Sequence, residues 1–205
     1  MFVGSRMTRG LGRLRVGLFD RLAVLSYSQE GEDLILQRMF DGQQAGFYVD
    51  VGAHHPRRYS NTHIFYRRGW KGINIEPNPQ AMRLFARQRS RDCNVQLGVA
   101  EQAGSMTYHE FDEPALNTFD EKLAAWRSAN TRYRVVGRRE IPVQPLAGIL
   151  QRHLPANQSI DFLSIDVEGL DLAVLRSNDW RQFRPRCVLA EAFAALWRRR
   201  GSPNP

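Results

Sequence analysis

The sequence alternates short apolar runs with segments of helical character, and this alternation constrains the fold more than any other feature. The runs with the composition of buried strands are Phe47–Val51, Gly72–Glu76, Asn94–Ala100, Ile160–Val167 and Cys187–Ala190. Capped or amphipathic helices are predicted at Asp33–Phe40, Ser60–Arg68, Asn78–Arg89, Leu146–Leu154 and Leu170–Leu175. Strands that alternate with helices are typical of an α/β domain built on a mostly parallel sheet with flanking helices.

The segment between the third strand and the strand at Ile160–Val167 is longer than one crossover helix requires. It contains two shorter predicted strands, Met106–Phe111 and Glu140–Val143. The run Thr118–Glu121 fits a capping box that begins a helix through about Ala129. We therefore expect residues 101–159 to form an insertion that covers a ligand pocket.

Each of the five main strands ends close to an acidic residue or a glycine. These residues are Asp50 and Gly52, Glu76, Gly98, Asp166 with Glu168, and Glu191. In open parallel sheets, ligands bind beyond the carboxyl ends of the strands. The series therefore predicts a ligand site at that edge of the sheet.

Composition excludes several classes of protein. With 42% hydrophobic residues in a chain of 205, the chain can bury a core, so wholesale disorder is excluded. No apolar run approaches the length of about 18 residues that suggests a membrane span. Cys93 and Cys187 cannot form a disulfide framework, and they are typical of free thiols in a reducing compartment, which favours a cytoplasmic protein.

The formal net charge of +8 is concentrated at the two ends of the chain. Residues 26–180 are close to neutral, so a nucleic-acid-binding face across the domain is not expected. In residues 1–25, the leucines from Leu11 to Leu25 are spaced so that they would lie on one face of a helix, and the arginines between them would lie off that face. This basic amphipathic helix could pack on the domain or make peripheral contact with an anionic membrane.

The loop after the first strand, Asp50 to His55, contains the first candidate binding residues. Gly52 permits a tight turn and a close backbone approach, but the loop lacks the further glycines that cradle a pyrophosphate. Glu76 follows Gly52 by 24 residues, close to the spacing of about 20 at which an acid grips a ribose diol. A ribose grip without a phosphate cradle favours S-adenosylmethionine over a nicotinamide dinucleotide, although each residue alone also fits a plain turn or a solvated strand end.

Several ordered motifs resemble the FkbM family of S-adenosylmethionine-dependent methyltransferases. They are Ser28–Asp33, Tyr48–Pro56, Ser60–Thr62, Gly69–Asn78 and Ile165–Gly169, and the resemblance covers residues 26–193. It implies a Rossmann-like class I methyltransferase fold and methyl transfer to a hydroxyl oxygen, with a sugar or polysaccharide-type acceptor. By position, it places Asp50 and Gly52 at the methionine end of the cofactor and Glu76 at the ribose hydroxyls.

Four further residues are candidates for handling the acceptor. Asp166 and Glu168 follow the strand expected beside the cofactor strand, where they could act as a base or hold Mg²⁺. Alternatively, Asp166 could cap the following helix while Glu168 is solvated. His54 could supply a base or a metal ligand, and Glu191 has a weaker claim. Asn78 is expected near the adenosine or as a helix N-cap.

The class I sheet normally continues with a β-hairpin after the strand at Cys187–Ala190. Residues 194–205 form an irregular basic tail that does not have the pattern of two strands. We therefore expect this C-terminal β-hairpin to be missing, through truncation or a frame shift. The alternative function is then an inactive methyltransferase-fold relic that still binds cofactor. A nicotinamide-dependent oxidoreductase and a nucleic-acid methyltransferase are further alternatives.

Overall fold

The computed structural model describes residues 23–191 of the chain, and the strands in this range form two β-sheets. The predicted N-terminal helix lies almost wholly outside these residues, and Ala23–Leu25, which end that segment, are not helical. The tail 194–205 and the expected absence of a C-terminal hairpin also concern residues outside the described range. No helix within residues 23–191 is long and apolar enough to cross a membrane.

The described elements follow one another in the order expected for an α/β chain. The helices are α1 (Glu32–Met39), α2 (His63–Arg67), α3 (Pro79–Gln88), α4 (Glu121–Asn130), α5 (Leu146–His153) and α6 (Asp171–Arg176). The strands are β1 (Phe47–Val51), β2 (Lys71–Ile75), β3 (Cys93–Val95), β4 (Gly98–Val99), β5 (Gly104–Phe111), β6 (Val135–Gln144), β7 (Phe162–Ile165) and β8 (Cys187–Ala190).

The main sheet has the strand order β3-β2-β1-β7-β8, and every neighbouring pair in it is parallel. All five residues of β1 are buried, because helices cover both faces of the strand. Val49 and Val51 face a core that includes residues of α5 and α6, whereas Tyr48 packs with α1 and α2. This arrangement confirms the predicted parallel α/β architecture and aligns the carboxyl ends of β1, β2 and β7.

The second sheet has the order β4-β6-β5; β5 and β6 lie within the predicted insertion 101–159, and β4 comes just before it. The prediction of one strand over Asn94–Ala100 is wrong, because the chain leaves the main sheet after Val95 and enters the second sheet at Gly98. A glycine is needed there, since an added β-carbon on Gly98 would lie 2.7 Å from the Phe119 ring and 2.8 Å from Val143. Gly98 therefore does not end a strand of the main sheet.

The start of α4 also differs from the prediction. The Asp120 side chain caps this helix, accepting hydrogen bonds from the backbone N–H groups of Lys122 and Leu123. Thr118 cannot be the N-cap, because its backbone pairs with His109 of β5 and its hydroxyl donates to the Glu168 carbonyl. The predicted cap of α3 is confirmed, since Asn78 accepts a hydrogen bond from Gln80 N–H.

Candidate active site

A cleft of about 860 Å³, part of which is open to solvent, lies at the carboxyl ends of β1, β2 and β7. The second sheet and the segment between β5 and α4 form its opposite wall. The polar residues that line it are Gln29, Asp50, His54, Tyr59, Asn61, Glu76, Tyr108, Asn117, Thr118, Ser164, Asp166 and Glu168. The topology thus brings most of the predicted site residues together in one cavity.

A glycine is required at position 52, because of the backbone conformation there and because the chain after β7 lies very close to it. Its φ of +78° is disfavoured for residues with a β-carbon. An added β-carbon would also lie 1.8 Å from the carbonyl oxygen of Asp166. The sequence predicted a tight turn at Gly52 and a close approach of a ligand to its backbone. The turn is present, and the group that approaches Gly52 closely in the structure is the backbone of Asp166, the residue after β7.

Glu76 is held by backbone hydrogen bonds on both carboxylate oxygens. One oxygen accepts from His54 N–H at 2.9 Å, and the other accepts from Asn78 N–H at 2.8 Å. The side chain lines the cleft while the residue is only 4% exposed. Burial raises the pKa of Glu76 to about 7, although the two backbone donors act in the opposite direction.

Asp50 is buried at the end of β1 and is supported by a relay of polar groups. It accepts a hydrogen bond from the Thr62 hydroxyl at 2.8 Å, and Thr62 in turn accepts one from the guanidinium of Arg89. Burial raises the pKa of Asp50 to about 6, whereas Thr62 and Arg89 lower it. The relay therefore fixes the carboxylate without placing a cation in the cleft.

Asn78 is the predicted binding residue that does not line the cleft. Its side chain caps α3, while its backbone N–H donates to Glu76. The structure thus shows the helix-cap alternative for the side chain, and it shows only an indirect contribution to the cleft through Glu76.

The two adjacent histidines have different surroundings. His54 lines the cleft with a φ of +50°, and its Nε2 is buried without a partner among the described residues. Burial first, and the Arg58 charge second, lower the pKa of His54 to about 4, so its ring is neutral at physiological pH. His55 instead uses Nδ1 to accept from the N–H groups of Arg57 and Arg58, which shapes the turn.

Three carboxylates lie together beyond the ends of β7 and β8, and two of them, those of Asp166 and Glu168, line the cleft. Asp166, Glu168 and Glu191 can each offer one oxygen atom within 4.8 Å of the other two. Burial and the charges of Glu168 and Glu191 raise the pKa of Asp166. Asp166 does not cap α6; that part of the turn is bound by Asp171, which accepts from the N–H groups of Val167 and Gly169.

Glu168 is tied to the insertion rather than solvated. Its carboxylate forms an ion pair with Arg127 of α4, and the Arg127 side chain is 6% exposed. Arg127 also donates to the carbonyl of Leu116 at 2.9 Å, and Thr118 donates to the Glu168 carbonyl at 2.8 Å. Glu168 itself has a φ of +54°, so the insertion holds this residue in a conformation that is unusual outside glycine.

Sequence reasoning missed several residues of this site. No local sequence pattern indicated Arg127, because its partner Glu168 lies 41 residues further along the chain. Asn61 and Thr62 belonged to a motif that carried the resemblance, but no role followed from it. Asn61 donates to Ser164 of β7 at 3.1 Å, so this motif connects the loop after β1 to the neighbouring strand.

The comparisons with known proteins identify the family. The model of the methyltransferase FkbM domain matches residues 50–199, which include most of the cleft residues. The chain belongs to the FkbM methyltransferase family. It is therefore a methyltransferase, and its parallel sheet with flanking helices is the Rossmann-like fold expected for this family. Searches of curated proteins and of solved structures gave no match.

Proposed function

We propose that this methyltransferase uses S-adenosylmethionine to methylate a hydroxyl oxygen of a sugar or polysaccharide-type acceptor. The observation that carries the proposal is buried Glu76, which lines the cleft at the end of β2 while both its oxygens are held by backbone N–H groups. A fixed carboxylate at this place suits the two hydroxyls of a ribose.

The charge of the cleft supports the same cofactor. Four carboxylates line it, those of Asp50, Glu76, Asp166 and Glu168, and no lysine or arginine is among the described lining residues. S-adenosylmethionine carries a sulfonium and an ammonium, so it is attracted by this lining, whereas a dinucleotide pyrophosphate is repelled. The buried Nε2 of His54, which has no hydrogen-bond partner within residues 23–191, provides an additional polar group for a ligand.

The residues that would hold the cofactor follow from their places in the cleft. Glu76 would accept hydrogen bonds from the ribose hydroxyls. Asp50 and the backbone at Gly52 would face the methionine end, where the Asp50 carboxylate suits an ammonium. When bound, the cofactor supplies a methyl group activated by the sulfonium charge.

Asp166 is the proposed general base. Its carboxylate would accept the proton of the acceptor hydroxyl, whose oxygen would take the methyl group while S-adenosylhomocysteine leaves as the neutral thioether. Glu168 is paired with Arg127, so we assign it the orientation of the acceptor. His54, neutral and with a free Nε2 among the described residues, is the second candidate base.

Alternatively, the same carboxylates could bind Mg²⁺. Asp166, Glu168 and Glu191 could provide oxygen ligands, and a bound cation would lower the pKa of an acceptor hydroxyl. In that case Asp166 would hold the metal instead of accepting the proton directly. The two versions differ in their response to chelators.

The acceptor class is proposed from family context and from the neutral polar groups at the cleft. Asn61, Asn117 and Ser164 can hydrogen-bond to hydroxyls, and the ring of Tyr59, 41% exposed, lies next to His54. We propose that residues 101–159 form the acceptor cap and that the acceptor is a small molecule or glycan rather than nucleic acid. The cytoplasmic location and the membrane contact of residues 1–25 stay predictions.

The first test is calorimetric titration with S-adenosylhomocysteine. We expect binding at micromolar concentrations by the folded chain and its loss in Glu76→Ala, with Glu76→Gln as the variant that retains the side-chain shape. A screen of sugar and glycan acceptors with Mg²⁺ or with EDTA then follows. Absence of binding by a folded chain would contradict the proposal, and binding without turnover on any acceptor would favour the inactive relic.

A further inference from the structure

We propose that Gln29, outside the region matched by the family model, binds the carboxylate at the amino-acid end of the cofactor. The inference rests on the proposed use of S-adenosylmethionine and extends the site to the segment before α1. Nothing in the sequence motif Ser28–Asp33 by itself assigned a role to this residue.

The segment around Gln29 is shaped by a fully buried carboxylate. Asp33 accepts from the Ser26 hydroxyl at 2.6 Å, from Tyr27 N–H at 2.7 Å and from the Ser28 hydroxyl at 2.9 Å. The Ser28 oxygen also accepts from Gly31 N–H at 3.1 Å. The backbone on both sides of Gln29 is therefore held by hydrogen bonds to the Asp33 carboxylate or to the Ser28 hydroxyl, which itself donates to Asp33.

The same segment is attached to the loop that follows β1. The Tyr27 carbonyl accepts from Ser60 N–H at 2.9 Å, and the Tyr27 ring packs edge-on against His63, with the ring centres 4.4 Å apart. Residues 26–33 thus form a wall next to the loop that carries Gly52 and His54. Gln29 is the residue of this wall that lines the cleft.

The charge of the cleft explains why an amide is needed there. A cofactor carboxylate would enter a cavity lined by four carboxylates and by no described lysine or arginine, so it requires neutral donors. The amide of Asn61 donates to Ser164, and the side chain of Asn117 accepts from Phe111 N–H and is hydrogen-bonded to the Tyr108 hydroxyl. Gln29 makes no side-chain hydrogen bond to any residue of the range 23–191, which leaves both its N–H donors for a ligand.

The test compares two ligands that differ at the amino-acid end. S-adenosylhomocysteine carries the ammonium and the carboxylate, whereas 5′-methylthioadenosine has the same nucleoside and lacks both. In calorimetric titrations of the full chain, Gln29→Ala should weaken S-adenosylhomocysteine by about tenfold, the loss expected for one hydrogen bond to a charged group. Its affinity for 5′-methylthioadenosine should change by less than about twofold. Gln29→Glu should weaken S-adenosylhomocysteine further, because it adds a like charge.

Glu30→Ala is the matched control, since Glu30 is exposed like its neighbour Gln29 but does not line the cleft. It should leave both affinities unchanged. Equal losses for both ligands in Gln29→Ala, or no loss for either, would overturn the inference about Gln29. Failure of the proposed function is distinguishable from this, because the unmodified chain would then bind neither ligand.

Discussion

The carbonyl oxygen of Asp166 occupies the space in which a β-carbon of Gly52 would stand, at 1.8 Å from its ideal position. The loop after β1 and the residue after β7 are therefore in backbone contact. Because one carries the proposed cofactor residues and the other the proposed base, this contact sets the distance between the two halves of the site.

Substitution of Gly52 by alanine should separate these halves. Gly42 is the matched control, because its φ of +77° equals that of Gly52 within a degree and, apart from its two chain neighbours, no atom of the described residues lies within 4 Å of its added β-carbon. Gly42→Ala should cost about 1 kcal/mol through backbone strain alone. Gly52→Ala should cost about 1–3 kcal/mol more through the clash, and should abolish S-adenosylhomocysteine binding. Equal free energies of unfolding for the two variants would contradict the close contact.

The ion pair between Arg127 and Glu168 should be the main electrostatic link between the insertion and the main sheet. Arg127→Met leaves a largely buried carboxylate without its cation, and should lower the free energy of unfolding by about 3 kcal/mol. Adding Glu168→Gln to Arg127→Met should recover part of that loss, because the unpaired charge is removed. Chemical denaturation of the two single variants and the double variant measures this coupling.

The exposed pair of Arg58 and Glu113 is the control for that cycle. Their side chains are 46% and 27% exposed, and the shortest N–O distance is 3.0 Å. Arg58→Met should cost no more than about 1 kcal/mol, because water screens the pair. A cost at Arg127 as small as the cost at Arg58 would show that the insertion is held by its other contacts.

Removal of the proposed base should affect turnover more than binding. With an acceptor found in the screen, Asp166→Asn should lower kcat by about 10²–10⁴-fold. Its affinity for S-adenosylhomocysteine should stay within about twofold, because the amide retains the shape of the side chain. If Asp166 accepts the proton directly, Glu191→Gln should lower kcat by less than Asp166→Asn does. Equal losses in both variants, together with inactivation by EDTA, would instead favour the Mg²⁺ alternative.

The main sheet could be predicted because its signals are local. The runs Phe47–Val51 and Cys187–Ala190 match the observed strands, and Asn78 with Pro79 begins α3 as expected. Strands of a parallel sheet covered by helices are mostly apolar, so the composition of these runs indicates them. The order of the acids along the chain then placed Asp50, Glu76 and Asp166 at one edge.

The errors arose where contacts distant in sequence decide the structure. Asn94–Ala100 has the composition of one strand, but the packing of Gly98 against Phe119 and Val143 places its second half in another sheet. Thr118 has the pattern of a helix cap, yet its pairing with His109 makes it part of a β-bridge. The partner of Glu168 could not be predicted either, because no local pattern connects it to Arg127.

Glu76 should make the stability of the free protein depend on pH. Burial raises its pKa from 4.5 to about 7, so between these values the unfolded chain releases a proton that the folded chain retains. This contribution is therefore present in full below pH 4.5 and is lost as the pH rises through 7, by about 3 kcal/mol at most. Asp50 acts in the same direction, whereas His54, with a lowered pKa, stabilises the fold as the pH rises from about 4 to 6.5.

The effect of Glu76 is isolated by difference from Glu76→Gln. The amide does not titrate, so the gap between the two free energies of unfolding should shift in favour of the variant as the pH rises from 5 to 8. Glu121→Gln, at an exposed position of α4 outside the cleft, is the control for the substitution itself. A constant gap between the unmodified protein and Glu76→Gln would mean that Glu76 is ionised throughout this range. Its two backbone donors would then outweigh its burial.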